Sequence, residues 1–311
     1  MKIVFFGSPE FAVPTLIELT RKHRVSLVVT QPDRPKGRGR KLQPTPIKSE
    51  AIRLNTPVIS PKAIKTDKFF NRLKEENADY FVVSAYGRIL PDRILNLPKY
   101  GCLNIHPSLL PLFRGPAPVN WTLIKGHKIT GVSIIKMNSE MDAGDIVTIQ
   151  KTAIHPNESA GELLHRLSLM GTSQLLSILE QEEIFKFNLP VMPQDHSLAT
   201  YAPFLDSKTG NINWNLSSEE ISGFIRGLDP KPGAFSYLNG KRIKLFKPLL
   251  CDLSGKPGKI IGIDKNGVII ACGKNSLIIR EMLFPGKKRL ETKSLIAGRL
   301  LNVGDSFISE K

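Results

Sequence analysis

Predicted strands and helices alternate through about residue 185 of this 311-residue chain, and short strands separated by tight turns follow from residue 211 onward. The alternation predicts an α/β fold with a parallel-type sheet, because each strand–helix–strand unit joins parallel strands by a right-handed crossover. The evenly spaced short strands predict a small β-barrel. A polar segment with three prolines separates the two regions. We therefore expect an α/β domain at 1–187, a linker at 188–207 and a C-terminal β-barrel domain at 208–311.

The first strand, at 3–6, is a run of apolar residues, and an amphipathic helix separates it from the next strand, at 25–30. Ser8 is placed to cap that helix, with Pro9 as its first residue. The turn before the helix contains the single glycine Gly7, and the G-x-G-x-x-G fingerprint of dinucleotide-binding proteins is missing. Binding of NAD is therefore not expected.

Apolar periodicity and breaker residues place the remaining elements. In the α/β region we expect helices at 49–55, 65–77, 94–95, 117–125 and 158–182, and strands at 58–59, 80–83, 102–105, 131–137 and 146–149. In the C-terminal region we expect a helix at 218–227 and strands at 235–238, 242–246, 259–263, 268–271 and 277–281. Asn-Gly pairs at 239–240 and 266–267 are typical of hairpin turns.

The stretch 101–115, GCLNIHPSLLPLFRG, carries the strongest indication of a functional site. Asn104 and His106 lie two residues apart on a predicted strand, so their side chains share one face of the sheet. Pro107 and Pro111 end the strand and stiffen the loop that follows. An amide donor and an imidazole at a strand end are typical of an active-site edge, although a lone histidine there is also common in packing.

A carboxylate supports the functional interpretation of that strand end. Asp142 lies in a glycine-containing turn after the strand predicted at 131–137. A carboxylate at a neighbouring strand end can orient an imidazole and stabilise its charged form.

The segment 31–48, QPDRPKGRGRKLQPTPIK, is too long and too charged for a simple connection. Its central cations are Arg34, Lys36, Arg38, Arg40 and Lys41. The whole chain has a formal net charge of +16, which favours an anionic partner, most simply a nucleic acid. A basic loop at a strand end can reach phosphate groups, but a solvated surface loop is the alternative.

The cysteine content and the lack of long apolar runs exclude several classes of protein. The three cysteines, Cys102, Cys251 and Cys272, are far apart, and no metal-ligand spacing is present, so neither disulfides nor a metal are expected. No apolar run reaches the length of a membrane span, and no signal peptide precedes the first strand. We expect a cytoplasmic protein without membrane contact.

These motifs resemble the tetrahydrofolate-dependent formyltransferase family. Members of that family carry N-x-H followed by S-L-L-P, and an Asp in a later D-x-G turn; here Asn104, His106 and Asp142 occupy those positions. The opening FFGSPEFAVPTL, the basic segment, AYGRILP at 85–91 and INWNLSSEEI at 212–221 extend the resemblance over essentially the whole chain. Pro107 stands where some members have glycine, and other members also have proline.

The resemblance implies a Rossmann-like formyltransferase domain followed by an OB-like barrel. It also implies the branch that transfers the formyl group of 10-formyltetrahydrofolate, as donor co-substrate, to the α-amino group of methionyl-initiator tRNA. The catalytic residues would be Asn104, His106 and Asp142. The folate site would comprise Tyr86, Ile89, Leu90, Ser108, Leu109, Leu110 and Pro111. The tRNA site would comprise Arg34, Lys36, Arg38, Arg40 and Lys41, with the barrel gripping the acceptor stem. We expect a monomer that needs no metal.

Other interpretations stay open on the sequence. A sugar-nucleotide formyltransferase would share the catalytic trio but lack the basic segment. A glycinamide ribonucleotide formyltransferase would be shorter, and a formyltetrahydrofolate hydrolase would often carry a further module. A non-catalytic RNA-binding protein could keep the same fold, although an intact trio argues against it.

Overall fold

The computed structural model describes residues 1–36, 41–181, 189–298 and 300–309. The chain forms two compact units. The first consists of Met1–Pro116, Thr130–Thr152 and Leu164–Tyr201, and the second of Ala117–Ile129, Ala153–Leu163 and Ala202–Lys311. The domain limits that we derived from the sequence, at 187 and 208, stay predictions.

A seven-stranded sheet with mostly parallel strands organises the first unit, as the βαβ pattern predicted. Its strands are β1 (Lys2–Gly7), β2 (Arg24–Val29), β5 (Val58–Ile59), β6 (Tyr80–Ser84), β7 (Cys102–His106), β8 (Ile129–Lys136) and β9 (Asp145–Ala153). Their order in the sheet is β5-β2-β1-β6-β7-β8-β9. The pairs from β5 through β7 are parallel, and β8 runs antiparallel to β7. The carboxyl ends of β1, β6 and β7 therefore meet at one edge of the sheet.

Among the described residues, five helices before residue 160 lie between these strands along the chain, and a sixth follows β9. They are α1 (Val13–Lys22), α2 (Pro46–Arg53), α3 (Asp67–Lys74), α4 (Asp92–Leu95), α5 (Pro118–Ile124) and α6 (Ala160–Gln181). The central strands are almost fully buried because their residues are apolar on both faces, which is typical of a parallel sheet.

The expected role of Ser8 as a helix cap is wrong. A short 3₁₀ turn, Glu10–Ala12, comes first, and α1 begins only at Val13. The Ser8 hydroxyl instead donates to the carbonyl of Tyr86 at 3.2 Å and accepts from the backbone N–H of Gln31 at 3.3 Å. These contacts across the sheet edge occupy the oxygen that a cap would use.

The basic segment is paired at its base. Two short antiparallel strands, β3 (Arg34–Lys36) and β4 (Lys41–Gln43), form a ribbon. Below it, Thr30 and Thr45 share a hydrogen bond of 2.7 Å between their hydroxyl groups. The segment therefore leaves the sheet edge as a hairpin with an anchored base.

An antiparallel sheet organises the second unit, as the regular spacing of short strands predicted. Its strands are β10 (Phe235–Leu238), β11 (Lys241–Cys251), β12 (Ile260–Asp264), β13 (Gly267–Ala271), β14 (Ser276–Leu283) and β15 (Leu290–Glu291). The order is β10-β11-β14-β13-β12, with β15 paired to β14. Helices α7 (Ser218–Leu228) and α8 (Thr292–Ala297) belong to the same unit.

The two edges of this half-barrel sheet are joined by the segment 305–308. On one side, the backbone of Ile308 exchanges two hydrogen bonds with Tyr237 of β10. On the other side, the N–H of Ile260 in β12 donates to the carbonyl of Asp305 at 2.8 Å. The paired edges leave fewer backbone groups open to another chain.

Candidate active site

Asn104 and His106 lie on β7, between β6 and β8, with their side chains on one face of the sheet. Asn104 is opposite Val83 of β6 and Ile135 of β8, and His106 is opposite Ser133 of β8. Both side chains are buried, and His106 is 4% exposed. The alternation of a strand thus brings together the two residues that the N-x-H spacing predicted would share a face.

The loop after β7 folds back over His106. Its carbonyl at Phe113 lies 3.0 Å from Nε2 of the imidazole. Ser133 fixes the start of the loop, because its hydroxyl donates to the carbonyl of Ser108 at 2.7 Å and accepts from the N–H of Leu110 at 3.1 Å. The loop therefore has a defined path from the end of β7 to Gly115.

Asp142 faces the other nitrogen of the imidazole. Its Oδ1 lies 3.6 Å from Nδ1 of His106, and its Oδ2 accepts a hydrogen bond of 2.8 Å from the N–H of Gly115. Gly115 has φ of +118°, a conformation that favours glycine and that directs its N–H to the carboxylate. A Cβ at Gly144 would lie 2.0 Å from the carbonyl of Lys136, so the turn after β8 can pack there only with glycine.

This geometry assigns different tasks to the two imidazole nitrogens. A carbonyl oxygen only accepts hydrogen bonds, so Nε2 carries the proton that it donates to Phe113. Nδ1 is then the nitrogen with a free lone pair, and it faces the Asp142 carboxylate. The distance of 3.6 Å is that of an ion pair rather than of a direct hydrogen bond.

The Asn104 carboxamide makes no hydrogen bond to another part of the described chain, although Asn104 is only 7% exposed. Its NH₂ group is thus available to a ligand on the face where His106 also lies. An amide donor in a buried setting can stabilise negative charge that develops on an oxygen atom.

Cys102, on the same strand, is not a candidate nucleophile. It lies two residues before Asn104, is 2% exposed and donates to the carbonyl of Leu95. Burial raises the pKa of its thiol far above neutrality, so the thiolate does not form at pH 7.

Two buried residues behind the Asp142 turn complete the site, and the sequence analysis did not assign them a role. Nε2 of Gln194 donates to the carbonyls of Asp142 and Gly144, and its Oε1 accepts from the guanidinium of Arg114. Gln194 lies in the segment that the sequence indicated as a linker. Its partners in the turn are backbone carbonyls about fifty positions away in the sequence. No local sequence pattern predicts such a contact.

The residues expected around the folate lie at the ends of β6 and β7, with different degrees of exposure. Tyr86, Leu90, Ser108 and Leu110 are buried, Leu109 and Pro111 are partly exposed, and Ile89 is 64% exposed. Gln31 holds the first of these loops by donating from Nε2 to the carbonyls of Tyr86 and Gly87.

Two buried hydroxyl groups at the end of β6 lack partners among the described residues, namely those of Ser84 and Tyr86. Burial raises the pKa of the Tyr86 phenol, so it stays a neutral hydrogen-bond donor. Buried polar groups are normally paired, so these two hydroxyls are exceptions.

Of the expected tRNA-binding residues, Arg34 and Lys36 belong to β3, and Lys41 belongs to β4. Arg34 and Lys41 are exposed, and a guanidinium N–H of Arg34 donates to Oε1 of Gln31. Asp33, the single acid of the segment, pairs with Lys48 at 2.8 Å and so does not neutralise the hairpin cations. Arg38, Arg40 and the side chain of Lys36 lie outside the described part of the structure.

In the described residues, no group of three or more His, Cys, Asp or Glu side chains is placed to hold a metal ion. Among the same residues, no helix has the length and apolar character needed to cross a membrane.

An amide, an imidazole and a carboxylate that meet at the strand ends of an α/β sheet are groups that enzymes use for acid–base and electrostatic catalysis of group transfer. The family model described as "Formyl transferase" matches residues 1–179, and "Formyl transferase, C-terminal domain" matches residues 205–300. The chain belongs to the formyl transferase family.

Similar proteins span nearly the whole chain. The methionyl-tRNA formyltransferase of Acetivibrio thermocellus is 40% identical over 309 residues, covering 98% of this chain and 99% of that protein. Its counterpart in Clostridium botulinum is 42% identical over 301 residues, covering 96% of each. Among solved structures, the sugar 3N-formyl transferase WlaRD, crystallised with dTDP and 5-N-formyl-THF, matches with a TM-score of 0.67 at 19% identity and covers 93% of this chain and 99% of that one. At that identity it supports the fold alone.

Proposed function

We propose that this protein transfers the formyl group of 10-formyltetrahydrofolate to the α-amino group of methionyl-initiator tRNA, giving formylmethionyl-tRNA for the start of translation. The observation that carries the proposal is the arrangement of Asn104, His106 and Asp142 in a chain that matches methionyl-tRNA formyltransferases over nearly its full length. The sugar formyltransferases share the fold at far lower identity.

The three side chains divide the chemistry among them. 10-Formyltetrahydrofolate supplies the formyl carbon that the methionyl amine attacks. The Asn104 NH₂ group donates to the formyl oxygen as negative charge develops on it. Nδ1 of His106 takes the proton released by the attacking nitrogen and delivers it to the departing folate nitrogen as the old C–N bond breaks. Asp142 holds the imidazole in place and stabilises its charged form.

The folate is expected at the ends of β6 and β7, next to Asn104. Ile89 presents an exposed apolar side chain that a flat ring can cover. The Ser133 contacts hold the 108–111 loop in a fixed shape, so its backbone can form the other side of the site.

The tRNA is expected to bind through the hairpin and the C-terminal unit. The hairpin cations can reach phosphates near the acceptor end, and Arg38 is the residue that we expect to matter most. Of the described cations, Lys41 is exposed and supports this role. We also propose that the protein works as a cytoplasmic monomer.

A competition assay tests the proposal. The protein is mixed with 10-formyltetrahydrofolate and Met-charged initiator tRNA, with free methionine and a sugar-nucleotide amine as competing acceptors. We expect the formyl group on the charged tRNA only. His106→Ala should abolish transfer while tRNA affinity stays normal, because the phosphate contacts lie elsewhere.

Other outcomes would contradict the proposal in different ways. Transfer to the sugar-nucleotide amine would assign the protein to another branch of the family. Formate release without an acceptor would indicate a hydrolase. Tight RNA binding without transfer to any amine would indicate a non-catalytic RNA-binding protein.

A further inference from the structure

Gln194 uses its full hydrogen-bonding capacity at a position that is 5% exposed. Its Nε2 donates to the carbonyl of Asp142 at 2.9 Å and to the carbonyl of Gly144 at 2.7 Å. Its Oε1 accepts from Nε of Arg114 at 3.2 Å and from Nη2 of Arg114 at 2.7 Å. Carbonyl oxygens only accept and guanidinium groups only donate, so the amide can point in one direction only.

Arg114 is an unusual partner for a glutamine. It is 4% exposed, and no carboxylate of the described residues lies within 4.0 Å of its guanidinium. Its remaining polar contact is Nη1 to Nδ1 of His196 at 3.4 Å. A buried cation normally pairs with an acid, so an amide here is selected for something that a carboxylate cannot do.

The difference lies in the two hydrogens of the amide. A glutamate would pair with Arg114 equally well, but its oxygens would face the carbonyls of Asp142 and Gly144 and repel them. Only the amide can accept from Arg114 on one side and donate to the turn on the other. The cation also polarises the amide and strengthens its donation to the turn.

We propose that Gln194 is a positioning residue, which holds the turn 142–144 so that the Asp142 carboxylate faces Nδ1 of His106. Arg114 supports Gln194 by donating to its amide oxygen. The residue after Arg114, Gly115, also holds the Asp142 carboxylate directly, because its N–H donates to Oδ2. The catalytic consequence of this inference rests on the proposed function.

The segment around Gln194 is anchored on both sides of this contact. The backbone of Met192 exchanges two hydrogen bonds of 2.8 Å with Ile146 in β9. The carbonyl of Thr200 accepts from the N–H of Arg114 at 2.8 Å, and its hydroxyl accepts from the N–H of Phe113 at 2.9 Å. Gln194 is therefore presented to the turn from a fixed backbone.

The test compares two substitutions in the full-length protein. Gln194→Glu keeps the size and the contact with Arg114 but removes the donors to the turn. We expect the ion pair with Arg114 to offset the two lost bonds to the turn, so that the protein stays folded with a Tm near that of the wild type. We expect kcat to fall by about 10- to 100-fold, because a small displacement of a catalytic group has such an effect. The KM values for both substrates should stay within a factor of about two, because Gln194 is buried and uses its amide within the protein. Gln194→Met, which loses all four hydrogen bonds, should lower both Tm and kcat.

A double-mutant cycle shows whether Gln194 acts through Asp142. In an Asp142→Asn background, Gln194→Glu should cause little further loss in single-turnover rate, because the group that it positions is already disabled. Gln181→Glu, an equal charge change at an exposed position on α6, serves as the control and should keep the wild-type kcat.

Several results would overturn the inference. They are a wild-type kcat in a folded Gln194→Glu protein, an undiminished effect of Gln194→Glu in the Asp142→Asn background, and a crystal structure of Gln194→Glu in which Asp142 keeps its place beside His106. The crystal structure tests the positioning role of Gln194 without any measurement of formyl transfer. A wild-type protein that transfers formyl to no amine would instead refute the proposed function.

Discussion

Nδ1 of His106 lies 3.6 Å from Oδ1 of Asp142, while the opposite nitrogen of the same ring, Nε2, lies 3.0 Å from the carbonyl oxygen of Phe113. The second carboxylate oxygen accepts from the N–H of Gly115. The loop 107–115 thus contacts both the imidazole and the carboxylate through its backbone. These two contacts fix the position of His106 relative to Asp142. In the proposed reaction, the Asp142 carboxylate balances the positive charge of the proton that Nδ1 takes up.

Replacement of this carboxylate should affect turnover far more than binding. Asp142→Asn keeps the size of the side chain but removes the charge that faces Nδ1, so we expect kcat to fall by about 10²- to 10⁴-fold. The affinities for folate and for tRNA should change little. Glu140→Gln, an exposed residue in the preceding turn, is the matched control and should keep wild-type kinetics. A comparable loss in tRNA affinity for Asp142→Asn would contradict the separation of roles.

Ser133 links the catalytic strand to the proposed folate loop, so its removal should affect stability and folate use together. The hydroxyl makes two buried hydrogen bonds, to Ser108 and Leu110. Ser133→Ala leaves those backbone groups unpaired, and we expect a loss of about 1–3 kcal/mol in the free energy of unfolding. Urea denaturation measures this loss, and steady-state kinetics should give a raised KM for the folate.

The control for that experiment is Ser139→Ala, since Ser139 is exposed. It should change neither quantity. A destabilised Ser133→Ala protein with an unchanged folate KM would indicate that the 108–111 loop does not contact the folate.

The sequence was sufficient to predict β7 and the shared face of Asn104 and His106, because both depend on local alternation. It also placed Asp142 at a neighbouring strand end. It did not reveal Gln194, because the partners of that amide are two backbone carbonyls. Every residue carries such a carbonyl, so only the folded geometry shows which two Gln194 reaches. Ser8 was misassigned for the same reason: the local signal for a cap was present, but long-range partners had taken the hydroxyl.

The basic hairpin should determine tRNA use rather than folate use. Lys41→Ala should weaken tRNA binding and reduce the slope of log K against log salt by about 1 if this lysine contacts one phosphate. Arg38→Ala should raise the KM for charged tRNA much more than the KM for the folate. Lys65→Ala, at an exposed position before α3, is the control for the loss of one charge. Unchanged kinetics in the Lys41→Ala and Arg38→Ala variants would indicate that this segment is only a solvated surface loop.

An ion-pair network in the second unit should make its stability sensitive to acid. Glu281 in β14 pairs with Lys247 at 2.7 Å and with Arg289, which also pairs with Asp229 at 2.7 Å. Burial alone would raise the pKa of the Glu281 carboxyl, but the hydrogen bonds and charges of Lys247 and Arg289 outweigh it and hold the pKa below its ordinary value of 4.5.

The sign of the effect follows from that depressed pKa. The contribution of Glu281 to stability is present above pH 4.5 and is lost as the pH falls through the lowered value in the folded protein. Glu281→Gln should therefore reduce the free energy of unfolding at pH 7 by about 1.5–3 kcal/mol, the range for hydrogen bonds to charged groups. The difference from the wild type should shrink as the pH falls through that window, in urea denaturation followed at several pH values. Asp252→Asn, at an exposed position after β11, should show no such difference. A Glu281→Gln deficit that is the same at every pH would indicate that shape rather than charge accounts for the role of this residue.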